Sequence, residues 1–278
     1  MFVLGAVSQY VGATLAVLVF DEISAAAVAW LRVVGAALTL LVIARHDLRG
    51  WTRPQLAAAA TFGIATALMN LFFYLGLERT DLGKSVAIEF IGPVVVAAVQ
   101  TRTGRNAVAL VLAVGGVCVL GGLEIADNAL GLMFILVASA MWAAYIVIGS
   151  HVARLNRGLG GLGIGLAIGA VAIAPIGAPG SGPAWSSPRL LVLCLVVGVC
   201  SNAISYGIDQ HVLRRIPVRR FSVLLALLPV TAAFIGWIGL DQVPSPLECA
   251  GIALVLVGVA AQDRDELQRE PVPLPDPG

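Results

Sequence analysis

The sequence predicts an all-α integral membrane protein of ten transmembrane helices, arranged as two inverted five-helix repeats. Three observations carry that expectation. Of the 278 residues, 59% are hydrophobic and only 12% charged, whereas a soluble domain carries roughly 25% charged residues. Basic residues concentrate in every second loop. The two halves align with a constant shift of 136 residues.

Apolar runs bounded by charge, Gly and Pro give spans at 2–20, 25–44, 56–77, 84–101, 106–123, 130–149, 160–177, 190–210, 221–240 and 246–262. About 20 apolar residues suffice to cross a bilayer as a helix. The first span begins at Phe2 with neither a basic leader nor a small-residue cleavage site, so it is expected to be retained and to direct insertion. The seventh carries Gly161, Gly165 and Gly169, a small-xxx-small pattern that lets helices approach closely in lipid. Cys118, Cys194, Cys200 and Cys249 all fall in apolar runs and are expected as buried thiols rather than disulfides or metal ligands. Residues 177–188 read as a flexible outer loop with Trp185 as an interface anchor. Residues 263–278, with four prolines among the last eight, read as a disordered cytoplasmic tail.

Charge placement fixes the expected topology. Arg45, Arg49, Arg53, Arg102, Arg105, Arg154, Arg157, Arg214, Arg215, Arg219, Arg220, Arg264 and Arg269 lie on one side, 13 of the 17 Lys and Arg residues. Arg79, Lys84 and Arg189 lie on the other, and Arg32 sits within a span. Positive loops stay in the cytoplasm, which puts both termini there and the acidic stretches Asp21–Glu22, Glu124–Asp127 and Asp241–Glu248 outside. A net charge of +1 leaves no basic surface for nucleic acid.

The repeat pairs Leu77 with Leu213, Pro93 with Pro229, Gly115 with Gly251 and Gly122 with Gly258. It divides the chain into a first unit, 1–124, and a second, 125–262. Five spans per unit is an odd number, so the second must insert upside down. The stretch 78–84 sums to zero charge while its counterpart 214–220 carries four arginines, as opposite orientation requires. Inverted repeats recur in secondary transporters, with the substrate site near the midplane between the halves.

A charge within a span costs roughly 2.5–3.5 kcal/mol on insertion scales and is therefore a candidate for function. Glu89 stands about five residues into the fourth span, roughly 8 Å from its outer end at about 1.5 Å per residue. Pro93 has no amide hydrogen, and the carbonyl it leaves unpaired in a helix is that of Glu89. Gly92, Pro93 and the equivalent Pro229 are the expected helix breaks. Arg32 lies at a matching depth in span two, so Glu89 reads either as its structural ion-pair partner or as a substrate or proton site. Gln9, Asn70, Tyr74, Trp142, Tyr145, Asn202 and Tyr206 are polar or aromatic groups at helical spacings that could line a central cavity or hydrogen-bond between helices. Asp209 and His211 read as a solvated cluster beside Arg214 and Arg215.

The sequence holds no Walker loop, no His-Glu-x-x-His and no Gly-x-Ser-x-Gly. No catalytic residue, metal or cofactor is expected, and ATP-driven transport within this chain is disfavoured.

The runs MNLFFYLGL at 69–77 and AIEFIGPVVVA at 87–97 resemble the threonine/homoserine exporter group of the drug/metabolite transporter superfamily, with its paired EamA-type domains. Ser8-Gln9 with Gly12-Ala13, Leu31-Arg32 with Gly35, and Trp142, Ala144 and Tyr145 fit the same pattern. The chain departs from it at Leu228, Asp241 and Asp209. The resemblance implies export of small amino acids or related metabolites across the bacterial inner membrane, by exchange with protons. Implied partners are a small-molecule substrate and membrane lipids, and a homo-oligomer is compatible with the sequence. A multidrug or nucleobase efflux carrier would fit the same residues. A lipid-carrier flippase would want clustered charges at one interface, and the only such cluster, Arg214–Arg220, is already explained by topology.

Overall fold

Helices dominate because a chain with few charges must satisfy its backbone groups internally wherever water is absent. The computed structural model describes residues 2–45, 50–100, 104–153, 158–205, 208 and 227–261. Its helices are α1 (Phe2–Val17), α2 (Ala25–Ile43), α3 (Arg53–Leu77), α4 (Leu82–Glu89), α5 (Ile91–Gln100), α6 (Gly104–Ala153), α7 (Gly158–Gly177), α8 (Gly182–Ser186), α9 (Pro188–Gly198), α10 (Leu227–Leu240) and α11 (Pro246–Ala261). A π-helical turn, Val199–Ile204, continues α9. No strand occurs among the described residues.

The helix starts are written in the sequence. Thr52 and Gln55 form a reciprocal capping box on α3, and Ser245 and Glu248 form another on α11. Ser24 and Ser187 cap α2 and α9. Each cap satisfies amides that the first turn leaves without a partner.

Ala25–Ile43, Arg53–Leu77, Asn128–Gly149 and Gly158–Gly177 are each long and apolar enough to cross a membrane, and the bent pair Pro179–Ser186 and Pro188–Ile204 makes a fifth candidate. Leu4–Val17, Ala107–Leu120, Leu228–Leu240 and Pro246–Gly258 are shorter apolar helices. The outer surface is apolar as well: Val42, Val111, Val171 and Ile238 are each more than two-thirds exposed. Such a belt suits lipid as solvent. The protein is a multi-pass membrane protein.

Glycine makes the closest helix seams. A methyl on Gly63 would land on the Gly165 carbonyl, and one on Gly169 on the Gly63 carbonyl, so α3 and α7 touch backbone to backbone. Gly165 and Gly169 of the predicted trio form this seam, and their neighbour Gly163 packs on Leu40 and Leu41 of α2. A methyl on Gly116 would press on the Gly251 carbonyl at 2.6 Å, which closes α6 onto α11.

Several expectations need correction. The acidic stretch Glu124–Asp127 is not a loop: α6 runs through it and breaks only at Asn128 (φ −155°, ψ 80°), whose Oδ1 accepts from the Gly131 amide at 3.0 Å. The segment 177–188 carries regular structure, a 3-10 turn at Pro179–Ser181 followed by α8. Trp185 donates to the Ser181 hydroxyl at 2.9 Å there. All four cysteines are free, but only Cys194 is buried; Cys118 and Cys249 face outward, where lipid accepts a thiol as readily as the core does. The tail 263–278, Tyr206, Asp209, His211 and the Arg214–Arg220 cluster lie outside the described residues.

Candidate functional site

The fourth predicted span is broken. Helix α4 ends at Glu89 and α5 begins at Ile91, with Phe90 as the joint. The cause is Pro93, whose ring displaces the carbonyl four residues earlier. The proline itself then sits in the first turn of α5, where no amide is needed. Two contacts hold the joint in place. The Phe90 ring meets Trp142 edge-on at 5.2 Å, and Gly92 lets α5 lie directly on the Ser139 carbonyl of α6.

Glu89 is 8% exposed and Arg32 4% exposed, but they do not form an ion pair within 4.0 Å. The Arg32 guanidinium is engaged elsewhere: Nε donates to Asn202 Oδ1 at 2.5 Å, and Cζ lies 4.6 Å from the centre of the Tyr74 ring. Thus α2, α3 and the π turn after α9 converge on one buried cation. Tyr74 also meets Phe20 edge-on at 6.0 Å.

The π turn is fastened to α1 by hydroxyls. Ser8 donates to the Cys200 carbonyl at 2.9 Å, Ser201 to the Gln9 carbonyl at 3.0 Å, and Ser205 to the Gly5 carbonyl at 2.9 Å. Gly12 allows this approach, since a methyl there would strike the Ser201 hydroxyl. Gln9 therefore joins the cluster through its backbone. These three serines were not among the predicted site residues, because a serine in an apolar helix reads as a small residue.

The other predicted residues divide. Trp142 belongs to the Glu89 joint through Phe90. Tyr145, one turn further along α6, packs against the Phe62 ring of α3 at 4.8 Å. Asn70 is buried, but its Nδ2 donates to the Thr66 carbonyl of its own helix at 2.7 Å. Pro229 lies in the first turn of the described part of α10, and residues 221–226 lie outside the described residues.

The end of the bundle around Lys84 is held by charge. Lys84 pairs with Asp81 at 2.9 Å and with Glu248 at 3.1 Å, Arg189 pairs with Glu22 at 3.3 Å, and Arg79 pairs with its neighbour Glu78. Gln242 accepts from the Leu82 amide at 2.9 Å. The Lys84–Glu248 and Leu82–Gln242 contacts tie α4 to α11 and to the segment before it.

Comparison with known proteins bears on what this cluster serves. Residues 129–261 match the EamA-like transporter family. The chain is 32% identical over 248 residues to the threonine/homoserine exporter RhtA of Escherichia coli strain K12, covering 88% of this chain and 84% of that protein. The chain belongs to the EamA-like transporter family. Within it, the match to RhtA of Salmonella typhimurium strain LT2, 31% identical over the same 88% and 84%, supports placement in the RhtA-like group. The uncharacterized transporter YwfM of Bacillus subtilis strain 168 is 24% identical, over 81% of this chain and 79% of that one. Membership of the EamA-like family makes this chain a transporter, and the buried polar cluster of α1, α2, α3, α4 and the π turn is its candidate transport site.

Proposed function

We propose that this chain is a secondary carrier that exports small amino acids of the threonine/homoserine kind from the bacterial cytoplasm. The observation that carries the proposal is the pair of opposite charges, Arg32 and Glu89, both buried and not joined to each other. Two buried charges without a direct counterion are costly, and a small zwitterion between them would satisfy both. In this reading Glu89 takes the ammonium group or, alternately, a proton, which couples export to proton entry. Trp142 and Tyr74 supply aromatic wall.

Alternating access would come from ten helices in two inverted repeats, in the inner membrane, with both termini in the cytoplasm. The glycine seams support the symmetry. Under the 136-residue shift the Gly63–Gly169 seam maps to Val199 and Val33, and α9 meets α2 one residue away from each, where a methyl on Gly198 would strike the Arg32 carbonyl. The Gly116–Gly251 contact maps onto itself to within one residue, as expected of helices that cross on a pseudo-two-fold axis.

The test is counterflow of labelled threonine in proteoliposomes. The wild-type protein should show trans-stimulation that varies with pH, and Glu89→Gln, inserted normally, should abolish pH dependence and slow exchange. Wild-type exchange with unchanged pH dependence in Glu89→Gln would remove Glu89 from the mechanism. Reporter fusions at both termini test the orientation.

A further inference from the structure

We propose that Arg32, Tyr74 and Asn202 form a carboxylate subsite, so that a free carboxylate is the obligatory part of the cargo. The proposal rests on the export reading above and narrows it. An arginine keeps its charge in any protein environment and offers five N–H donors. Here the described residues engage Nε, by Asn202, and no carboxylate among them lies within 4.0 Å of the guanidinium. The Tyr74 ring covers one face of the cation but cannot neutralise it.

Two further donors lie beside this cation, and neither closes a hydrogen bond of normal length. Asn202 is fully buried; its Oδ1 is taken by Arg32, which leaves Nδ2 unpartnered. Tyr74 is likewise fully buried; its hydroxyl lies near the Arg32 guanidinium and the Ser201 hydroxyl without closing to normal hydrogen-bond distance of either. Native interiors rarely leave a buried donor unsatisfied, and here two lie beside an unneutralised cation. A cation, an amide N–H and a phenol O–H all seek the same complement, an anion with several lone pairs. A carboxylate offers two oxygens and about four acceptor sites, and it pairs with a guanidinium in bidentate fashion. A phosphate would bring more charge than one arginine matches, and a neutral drug or nucleobase would bring none.

The backbone around the subsite is built for rigidity. Gly198 packs on the Arg32 carbonyl, and the serine bonds to α1 fix the π turn that carries Asn202. Side chains held this way recognise a ligand with little ordering cost.

Tyr74→Phe separates a binding role from a structural one. It deletes a hydroxyl that makes no hydrogen bond of normal length, so a structural role predicts a nearly unchanged melting temperature and unchanged kinetics. The carboxylate role predicts the same melting temperature with a KM for threonine raised about ten- to hundredfold, the worth of one hydrogen bond to a charged group. In wild type, threoninamide, which keeps the ammonium and lacks the carboxylate, should not compete in threonine counterflow. Competition by threoninamide equal to that of threonine, or an unchanged KM in Tyr74→Phe, overturns the subsite. If wild type moves no amino acid at all, the export reading fails instead. Lactate, a carboxylate without an ammonium, then decides the subsite: stabilisation of wild type but not of Tyr74→Phe upholds it, and no difference overturns it.

Discussion

Gly63→Ala should destabilise the protein strongly, and the size of the effect follows from what the new methyl meets. At Gly63 it would overlap the carbonyl of Gly165, with the carbon of that carbonyl and the Gly165 Cα close behind. All three are backbone atoms of α7, so no rotamer change relieves the clash and the two helices must separate. Forced overpacking costs about 1–3 kcal/mol, and the absence of any flexible neighbour points to the upper end. The better helix propensity of alanine returns at most about 1 kcal/mol. The net loss is therefore about 2 kcal/mol, or roughly 4–8 °C in melting temperature for a chain of this size. Gly115 supplies the control: it is also in a helix, and nothing lies within 4 Å of the added carbon, so Gly115→Ala should melt at or slightly above wild type. Gly198→Ala, which would press on the Arg32 carbonyl, should match Gly63→Ala. The assay is thermal unfolding of the detergent-purified protein followed by size-exclusion chromatography. A Gly63→Ala protein that melts at or above the Gly115→Ala protein would refute the backbone seam.

Glu248→Ala removes both the Lys84 ion pair and the reciprocal cap with Ser245; a cap alone is worth about 0.5–2 kcal/mol. Its loss should lower the melting temperature, and adding salt should narrow the gap to wild type by screening the ion pair there. Asn70→Ala should leave the KM for threonine within about twofold of wild type, because its amide already serves the Thr66 carbonyl; the lost bond costs only about 1 kcal/mol of stability. A larger shift in KM would return Asn70 to the transport site.

How much of this was legible in the sequence depends on which physical signal each feature leaves. Glu89 and Arg32 stood out because a charge in an apolar run is expensive, and the structure buries both. The joint at Phe90 was legible to within one turn, since Pro93 names the carbonyl it must lose. The helix starts at Thr52, Ser187 and Ser245 carry capping residues and follow the same logic. Charge alternation and apolar length marked the helices but misread Glu124–Asp127, because a helix can carry acidic residues through a bend and Asn128 alone makes the break.

The π turn left no such trace, and its absence from the sequence reading is instructive. One extra residue per turn does not disturb hydropathy when all its neighbours are small or apolar, as in Val199-Cys200-Ser201-Asn202-Ala203-Ile204. The same holds for Gly12, Gly63 and Gly198, which stand alone in sequence and acquire meaning only when another backbone arrives against them. Long-range partners explain why: Arg32 finds Asn202 across 170 residues, and Ser8 finds Cys200 across 192. A buried charge announces itself by its own cost, whereas the groups that receive it are ordinary until the fold brings them together. The site's charges were therefore predictable and their contacts were not. Asn202, the group that joins Arg32 to the π turn, was expected either to line a cavity or to hydrogen-bond between helices; it does the second, and what the sequence did not name was its partner, Arg32.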